Sequence, residues 1–359
     1  MDLDSLISRL EVKINSNHTY SVYNTTNNKE VTIDELQLQE IANKGEIIDE
    51  LMKLGFFKHA GKVPLFKKTE NSFFDIRKID GKRSGGVGLL GIPYDSSSTG
   101  ITGVSGAPGK LRKISSGYDT YRTNIKLENE TYSLLELEDK YEFIDCGDIT
   151  YVPGEENKRL YNRITDAKEH LLKKHGIKTL IAIGGDHSCT IPLIKSIKYE
   201  DLIFIKFDAH FDNIKKRDFE NVNHSNFVNE ISELDNIKKV LHIGVRENLY
   251  NKNITEKDIY ITPSKINEID TVLKEIKKIS NNIYISIDFD VLDPSIFKAA
   301  SFLLPFGLSF QELTDLLFKL KDFNIVGIDL MEYNPLLDIS NNDKYMCLNI
   351  LKKCLDLIK

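Results

Sequence analysis

From Val87 onward the chain alternates short apolar runs with amphipathic stretches, and this alternation restricts its fold more than any other feature. The runs are GVGLLGIP (86–93), EFIDCG (142–147), TLIAIGG (179–185), LIFIKFD (202–208), KVLHIGV (239–245), DIYIT (258–262), IYISIDFD (283–290) and IVGIDLM (325–331). They are of strand length and apolar on both faces, so both faces must be covered. Helical spacing in NRITDAKEHLLKKHG, in DTVLKEIKKIS and near 343–358 supplies the covering layers. The pattern predicts an α/β chain: a three-layer α/β/α sandwich around a mainly parallel sheet of about eight strands. A chain of 359 residues accommodates that body over residues 83–359, with a small N-terminal α+β appendage over residues 1–82.

Within the appendage, Leu3, Leu6, Ile7 and Leu10 recur at helical spacing, TYSVYNTT (19–26) reads as a strand, and Thr32 with Glu35 forms a candidate capping box opening a helical stretch. Gly55 is a candidate stop for that stretch, and GKRSGGVG (81–88) reads as a hinge into the second unit.

Composition narrows the class. Hydrophobic residues make up 41% and charged residues 28%, outside the regime of disorder. The formal charge of -6 is spread along the chain without a long single-sign block, which speaks against nucleic acid as the main partner. The four cysteines, Cys146, Cys189, Cys347 and Cys354, form no CxxC pair and read as reduced thiols. The N-terminus carries acids where a signal peptide needs bases, and no apolar run approaches the roughly 18 to 20 residues that span a membrane. A soluble cytoplasmic protein, without a membrane partner, is the expectation.

In a parallel sheet the ligand site lies beyond the carboxyl ends of the strands. Three predicted strands end there in metal-type donors: Asp186 and His187 in GGDHS, Asp208, His210 and Asp212 in DAHFD, and Asp288, Asp290 and Asp293 in DFDVLDP. Positions 208, 210 and 212, like 288 and 290, share one face if strand geometry persists through them. One Asp at a strand end is ordinarily a turn or cap residue. Three such clusters together are costly without counter-charge, because packed carboxylates gain proton affinity and destabilise the fold. Two imidazoles and several carboxylates, without thiolate, suit a borderline-to-hard ion such as manganese, with nickel, cobalt, iron and zinc as alternatives. Cys189 reads as a packed thiol, and His242, inside an apolar run, as a satisfied core residue. His170 and His175 fall in a charged helix and at its end, where solvation or helix-end stabilisation suffices.

In this order and with these separations, GGDHS, DAHFD and SIDFDVLDP resemble the ureohydrolase (arginase/agmatinase) family, over roughly residues 86–359. LGIPYDSSSTGITGVSGAPGKLRKIS, FIDCGDI and GIDLMEYNP are similar to supporting segments of that family. The resemblance implies an arginase-like fold and a binuclear centre of two divalent ions, manganese foremost. His187, Asp208, Asp212 and Asp288 look like ligands of one ion, and Asp208, His210, Asp288 and Asp290 like those of the other. Glu332 matches the carboxylate that holds the substrate's guanidinium, and His224 the histidine that stabilises substrate or shuttles a proton. The implied catalytic groups are Asp212, His224 and Glu332. The implied reaction is hydrolysis of a guanidino group, in arginine, agmatine or a related compound, to urea and an amine. A homo-oligomer is implied as well.

The chain departs from the family's pattern in three places. Ser225 follows His224 where the family has glycine, and after DPS the chain reads IFKAASFLLPFGLSFQEL in place of a small-residue loop, which reshapes the mouth. Its order of elements gives the appendage a vague likeness to small peptide-binding modules; an arginine-containing peptide, converted to a peptide ornithine, is therefore an alternative substrate. Formimino-group hydrolysis and an inactive binding homologue are further alternatives.

Overall fold

The structure, a computed structural model, describes residues 10–14, 19–24, 29–34, 63–80, 85–116, 125–127, 130–132, 143–152, 155–215 and 221–358. The chain divides into two compact units, Met1–Leu65 with Thr150–Asn162, and Phe66–Ile149 with Arg163–Lys359.

In the first unit β1 (Leu10–Ile14), β2 (Thr19–Asn24) and β3 (Lys29–Asp34) form an antiparallel sheet in that order. The strand expected at 19–26 is β2. The two helical expectations beside it are corrected where residues are described: Leu10 begins β1, and Thr32 lies inside β3 opposite Ser21. In both places period-two runs, LEVKI and KEVTID, find a ladder partner, and pairing outweighs local helical spacing. Residues 3–9 and 35–62, which carry the rest of those expectations, and 81–84 of the expected hinge lie outside the described residues.

The second unit holds a nine-stranded sheet and a separate antiparallel pair, β6 (Ile125–Leu127) with β7 (Glu130–Tyr132). The strands of the large sheet are β4 (Phe66–Lys67), β5 (Val87–Gly91), β8 (Phe143–Ile149), β9 (Thr179–Ile183), β10 (Leu202–Phe207), β11 (Ile237–Ile243), β12 (Asp258–Ile261), β13 (Asn282–Asp288) and β14 (Asn324–Met331). The spatial order is β12-β11-β10-β13-β14-β9-β5-β8-β4, and every pairing is parallel except β4 with β8. All eight apolar runs became strands; β4, two residues long, carries no pattern and supplies the ninth. Helices include α1 (Ala107–Ser115), α2 (Asn157–His170), α3 (Thr190–Lys195), α4 (Phe227–Ser232), α5 (Ile269–Ile279), α6 (Phe310–Lys319) and α7 (Asp343–Leu357). Ser309 and Glu312 form a reciprocal capping box at the start of α6. No helix among the described residues is long and apolar enough to cross a membrane.

Strands β10 and β13 sit near the middle of the sheet, and their side chains are buried almost throughout. Isoleucines from both, with Ile181, Ile183, Leu241 and Ile328, belong to one continuous core. Arg112 of α1 is buried above the Phe73 ring, its charge matched by Asp145 at 2.9 Å and Asp148 at 2.7 Å. The four cysteines are buried free thiols, Cys189 among them. His175 is buried as well and so is not a solvated helix end; its ring lies 5.5 Å from that of His170.

His242 of β11 is fully buried and pairs through Nε2 with Asp258 Oδ1 at 2.8 Å, as a core histidine should. Burial lowers its pKa, against the opposing pull of Asp258. A histidine held neutral in this way contributes stability that is present above its unfolded value near 6.5 and lost as pH falls below it. Asp258, also lowered despite its burial because of its bond to His242, acts in the same sense only below about pH 4. We expect the unfolding free energy of the wild type to fall more between pH 7.5 and 5.5 than that of His242→Gln, by on the order of 1 kcal/mol. Urea denaturation at the two pH values measures the difference.

Candidate metal centre

Three strand ends meet at the carboxyl edge of the sheet. After β9 the chain makes a tight turn through Gly184 and Gly185, where a Cβ on Gly185 would collide with the carbonyl oxygens of Ile92 and Tyr94. The turn delivers Asp186 and His187. Asp186 does not enter the cluster: its carboxylate accepts hydrogen bonds from Ser97 N–H at 3.1 Å, Ser97 Oγ at 2.8 Å and Ser188 N–H at 3.1 Å, bracing the turn. His187 does enter it, and Nδ1 lies 3.2 Å from Asp208 Oδ2, 3.2 Å from Asp288 Oδ2 and 3.5 Å from Asp212 Oδ2.

The other nitrogen of His187 fixes its tautomer. Nε2 is 2.7 Å from Ser286 Oγ, whose own hydroxyl donates to Asp329 Oδ1 at 2.5 Å, while Tyr284 donates to Asp329 Oδ2 at 2.8 Å. Because the single Ser286 hydrogen is committed to Asp329, Nε2 must donate, and Nδ1, which faces the carboxylates, is the nitrogen left to ligate a cation when the ring is neutral. Nothing in the sequence pattern marked Ser286, Asp329 or Tyr284. They lie on β13 and β14, adjacent strands paired in register as Ser286↔Asp329.

The DAHFD and DFD segments converge differently from the expected strand alternation. β10 ends at Phe207, and the chain turns through Asp212, whose φ is +51°. β13 ends at Asp288, whose side chain caps a short 3-10 turn by accepting from Asp290 N–H at 2.8 Å. The side chains therefore meet because two turns fold back, a Cα path that period two does not describe. Asp208 Oδ1 accepts from His210 N–H at 2.5 Å, and His210 Nδ1 lies 2.8 Å from Asp290 Oδ2. Asp293 stands apart as a loop brace, accepting from Ser295 N–H and Gly307 N–H at 2.9 Å each.

Two overlapping donor groups result among the described residues: His187, Asp208 and Asp288, and Asp208, His210 and Asp290, with the ligand atoms of each group within 4.8 Å of one another. Asp208 belongs to both. Its Oδ2 faces His187 and its Oδ1 faces His210. Electrostatics match a site built for cations. Burial and repulsion from Asp290 and Asp208 hold Asp288 well above the carboxylate range, and burial with Asp208 pushes Asp212 up to about 6. Burial opposes charge on His210 as well, yet Asp290 and Asp208 outweigh it and push its pKa up to about 12. Such mutual perturbation is what uncompensated carboxylates and imidazoles do when packed together.

Sequence reasoning missed Lys206. Two residues before Asp208 on the same face of β10, it is fully buried, and its Nζ lies 2.6 Å from Asp208 Oδ2, 2.9 Å from Asp212 Oδ2 and 2.8 Å from the His210 carbonyl oxygen. Burial works against its charge, but Asp208 and Asp212 outweigh it and raise its pKa. Asp208 in turn, despite burial, is held well below the carboxylate range by Lys206 and the two histidines. A lysine inside an otherwise apolar run was the available signal.

Glu332 and His224 adjoin the cluster. Glu332 follows β14 in the left-handed region, φ +65°, and its Oε1 accepts from His187 N–H at 2.9 Å and lies 3.2 Å from His224 Nδ1. His224 Nε2 accepts from Thr99 N–H at 2.9 Å. A backbone N–H can only donate, so the ring hydrogen sits on Nδ1, facing Glu332. Phe302, half exposed, brings its ring to 5.7 Å from that of His224 and 6.5 Å from that of His210, so the bulky loop lies over the cluster. Leu303 packs against the core and Phe306 points outward. Arg246 ties this loop down, donating to the carbonyl oxygens of Leu304 at 2.8 Å and Asp290 at 2.7 Å.

A profile of the arginase family matches residues 86–355. An uncharacterised 32.2 kDa protein of Methanothermus fervidus is 30% identical over 255 residues, 68% of this chain and 82% of that one. A formimidoylglutamase of Halalkalibacterium halodurans is 30% identical over 77% of this chain and 90% of its own, and an agmatinase of Bacillus cereus 26% identical over 79% and 91%. Among solved structures, proclavaminate amidino hydrolase from Streptomyces clavuligerus superposes with a TM-score of 0.69 at 22% identity, covering 82% of this chain and 98% of that one, a likeness of fold. With the family profile spanning the whole nine-stranded body but its first short strand, and two donor clusters sharing one aspartate at its carboxyl edge, the chain belongs to the arginase family and is a metal-dependent hydrolase of amidino C–N bonds.

Proposed function

We propose that this chain is a manganese-dependent ureohydrolase that cleaves a guanidino group to urea and an amine. The observation that carries the reading is the pair of donor groups joined through Asp208, set beside the Glu332–His224 pair. The donor set fits two divalent ions: His187 Nδ1 is directed at three carboxylates, Asp208 is shared by both donor groups, and no thiolate takes part among the described residues. His187, Asp208, Asp212 and Asp288 would hold one ion, and Asp208, His210, Asp288 and Asp290 the other. When bound, the ions supply a water acidic enough to attack near neutral pH, together with Lewis-acid stabilisation of developing charge.

The side chains do the rest. A guanidinium carbon is a poor electrophile because its charge is delocalised over three nitrogens, so orientation matters. Glu332 Oε1, buried and pre-set by its bond from His187 N–H, is placed to accept a charge-assisted hydrogen bond from the substrate cation. His224, its Nε2 occupied by the Thr99 N–H, directs its Nδ1 hydrogen at that carboxylate and so holds it in line for the substrate. Asp212 is then the candidate for moving the proton that the leaving amine must collect.

Formimino-group hydrolysis is a second reading, favoured by the 30% identity to a formimidoylglutamase. The deciding assay incubates the purified chain with Mn2+ and a panel of agmatine, free arginine, other guanidino compounds, arginine-containing peptides and formiminoglutamate. Release of urea is expected; formamide without urea would transfer the assignment to the second reading, and release of neither would overturn both.

A further inference from the structure

Lysine rarely lies fully buried without a specific partner, since its ammonium is expensive to desolvate. Lys206 is fully buried in the middle of the sheet, level with His242 on β11 and Ser286 on β13, and its Nζ makes three polar contacts, a hydrogen bond to the His210 carbonyl oxygen and two ion-pair contacts. Two of those contacts are to Asp208 Oδ2 and Asp212 Oδ2, the oxygens that also face His187 Nδ1. The other side of the cluster is built from Asp208 Oδ1, His210 Nδ1 and Asp290 Oδ2, and Lys206 Nζ is directed at the opposite oxygen of Asp208. The ammonium is thus aimed at one half of the centre.

We propose that Lys206 is a protein-supplied third cation of the cluster, a positioning residue that aligns Asp208 and Asp212 and weakens divalent-ion binding at the His187–Asp212 half relative to a neutral side chain. The inference rests on the binuclear reading above. Its physics is the inverse-distance repulsion between a fixed unit charge and a dication that share two carboxylate oxygens. His210 and Asp290 face the other oxygen of Asp208, so an ion that they would hold should be affected less. Lys206 also leaves the metal-free cluster partly neutralised, so the ligands stay arranged before any ion arrives.

The test is Mn2+ binding to the full-length chain after chelation, followed by isothermal titration calorimetry and by electron paramagnetic resonance of free Mn2+. Asp212→Asn and Asp290→Asn assign the two binding steps. Lys206→Met and Lys206→Gln are expected to tighten the step that Asp212→Asn removes by about tenfold or more. They should leave the step that Asp290→Asn removes within about threefold, while Lys206→Arg, which keeps the charge, gains nothing. Unchanged or weaker binding at the first step in folded Lys206→Met overturns the inference while the binuclear reading stands. Wild-type chain that binds no Mn2+ at all overturns both. If the neutral variants do not fold, as judged by circular dichroism, the wild type decides: the step lost in Asp212→Asn must be the weaker, and equal affinities reject the proposal.

Discussion

Replacing His210 with alanine is expected to lower Mn2+-dependent hydrolysis by a factor on the order of 10³ or more while leaving the chain folded. The His210 side chain is one-fifth exposed at the open edge of the cluster, so its removal leaves no cavity in the packed interior. Its Nδ1 nevertheless faces Asp290 at 2.8 Å and belongs with Asp208 to the second donor group. Loss of that nitrogen removes one of the two imidazoles that the described residues bring to the cluster. Stability should stay within about 1 to 2 kcal/mol of wild type, the range of an ordinary substitution near a surface. Steady-state kinetics with added Mn2+, beside urea denaturation, separates the two quantities. Full activity in a folded His210→Ala chain would remove the candidate centre.

Glu332→Gln should act on substrate capture more than on the metal. The change keeps an oxygen to accept the His187 N–H bond and preserves the strained backbone, but it removes the charge that would meet a guanidinium. Truncating one partner of a buried charged hydrogen bond costs about 2 to 3 kcal/mol, which corresponds to a kcat/KM lower by roughly 30- to 150-fold. The loss should appear mainly as a raised KM, with Mn2+ affinity close to wild type. If KM is unchanged and Mn2+ affinity collapses, Glu332 belongs to the metal and not to the substrate.

Much of the catalytic body was legible because its strands are buried on both faces, and such strands must be written as continuous apolar runs whatever lies beside them. The polar ends of three of those runs stood out for the same reason. Legibility stopped where local pattern and long-range pairing competed. Thr32 satisfies a helix-capping pattern and yet lies in β3, because its place is decided by pairing with Ser21 of β2, far outside the local capping pattern. The two-residue β4 has no periodicity to read, and its place is set by β8.

By itself, the sequence determined which chemistry the chain could host: carboxylates and imidazoles at strand ends, in an order that resembles a ureohydrolase, on a parallel sheet. Only the tertiary structure decided how those groups face one another. The turns at Asp212 and after Asp288, the Ser286–Asp329 pair that sets the His187 tautomer, and the approach of Lys206 to Asp208 and Asp212 depend on distances and angles between β9, β10, β13 and β14. A one-dimensional pattern records which side of a strand a residue takes, whereas electrostatic and hydrogen-bond energies depend on separation and direction in space.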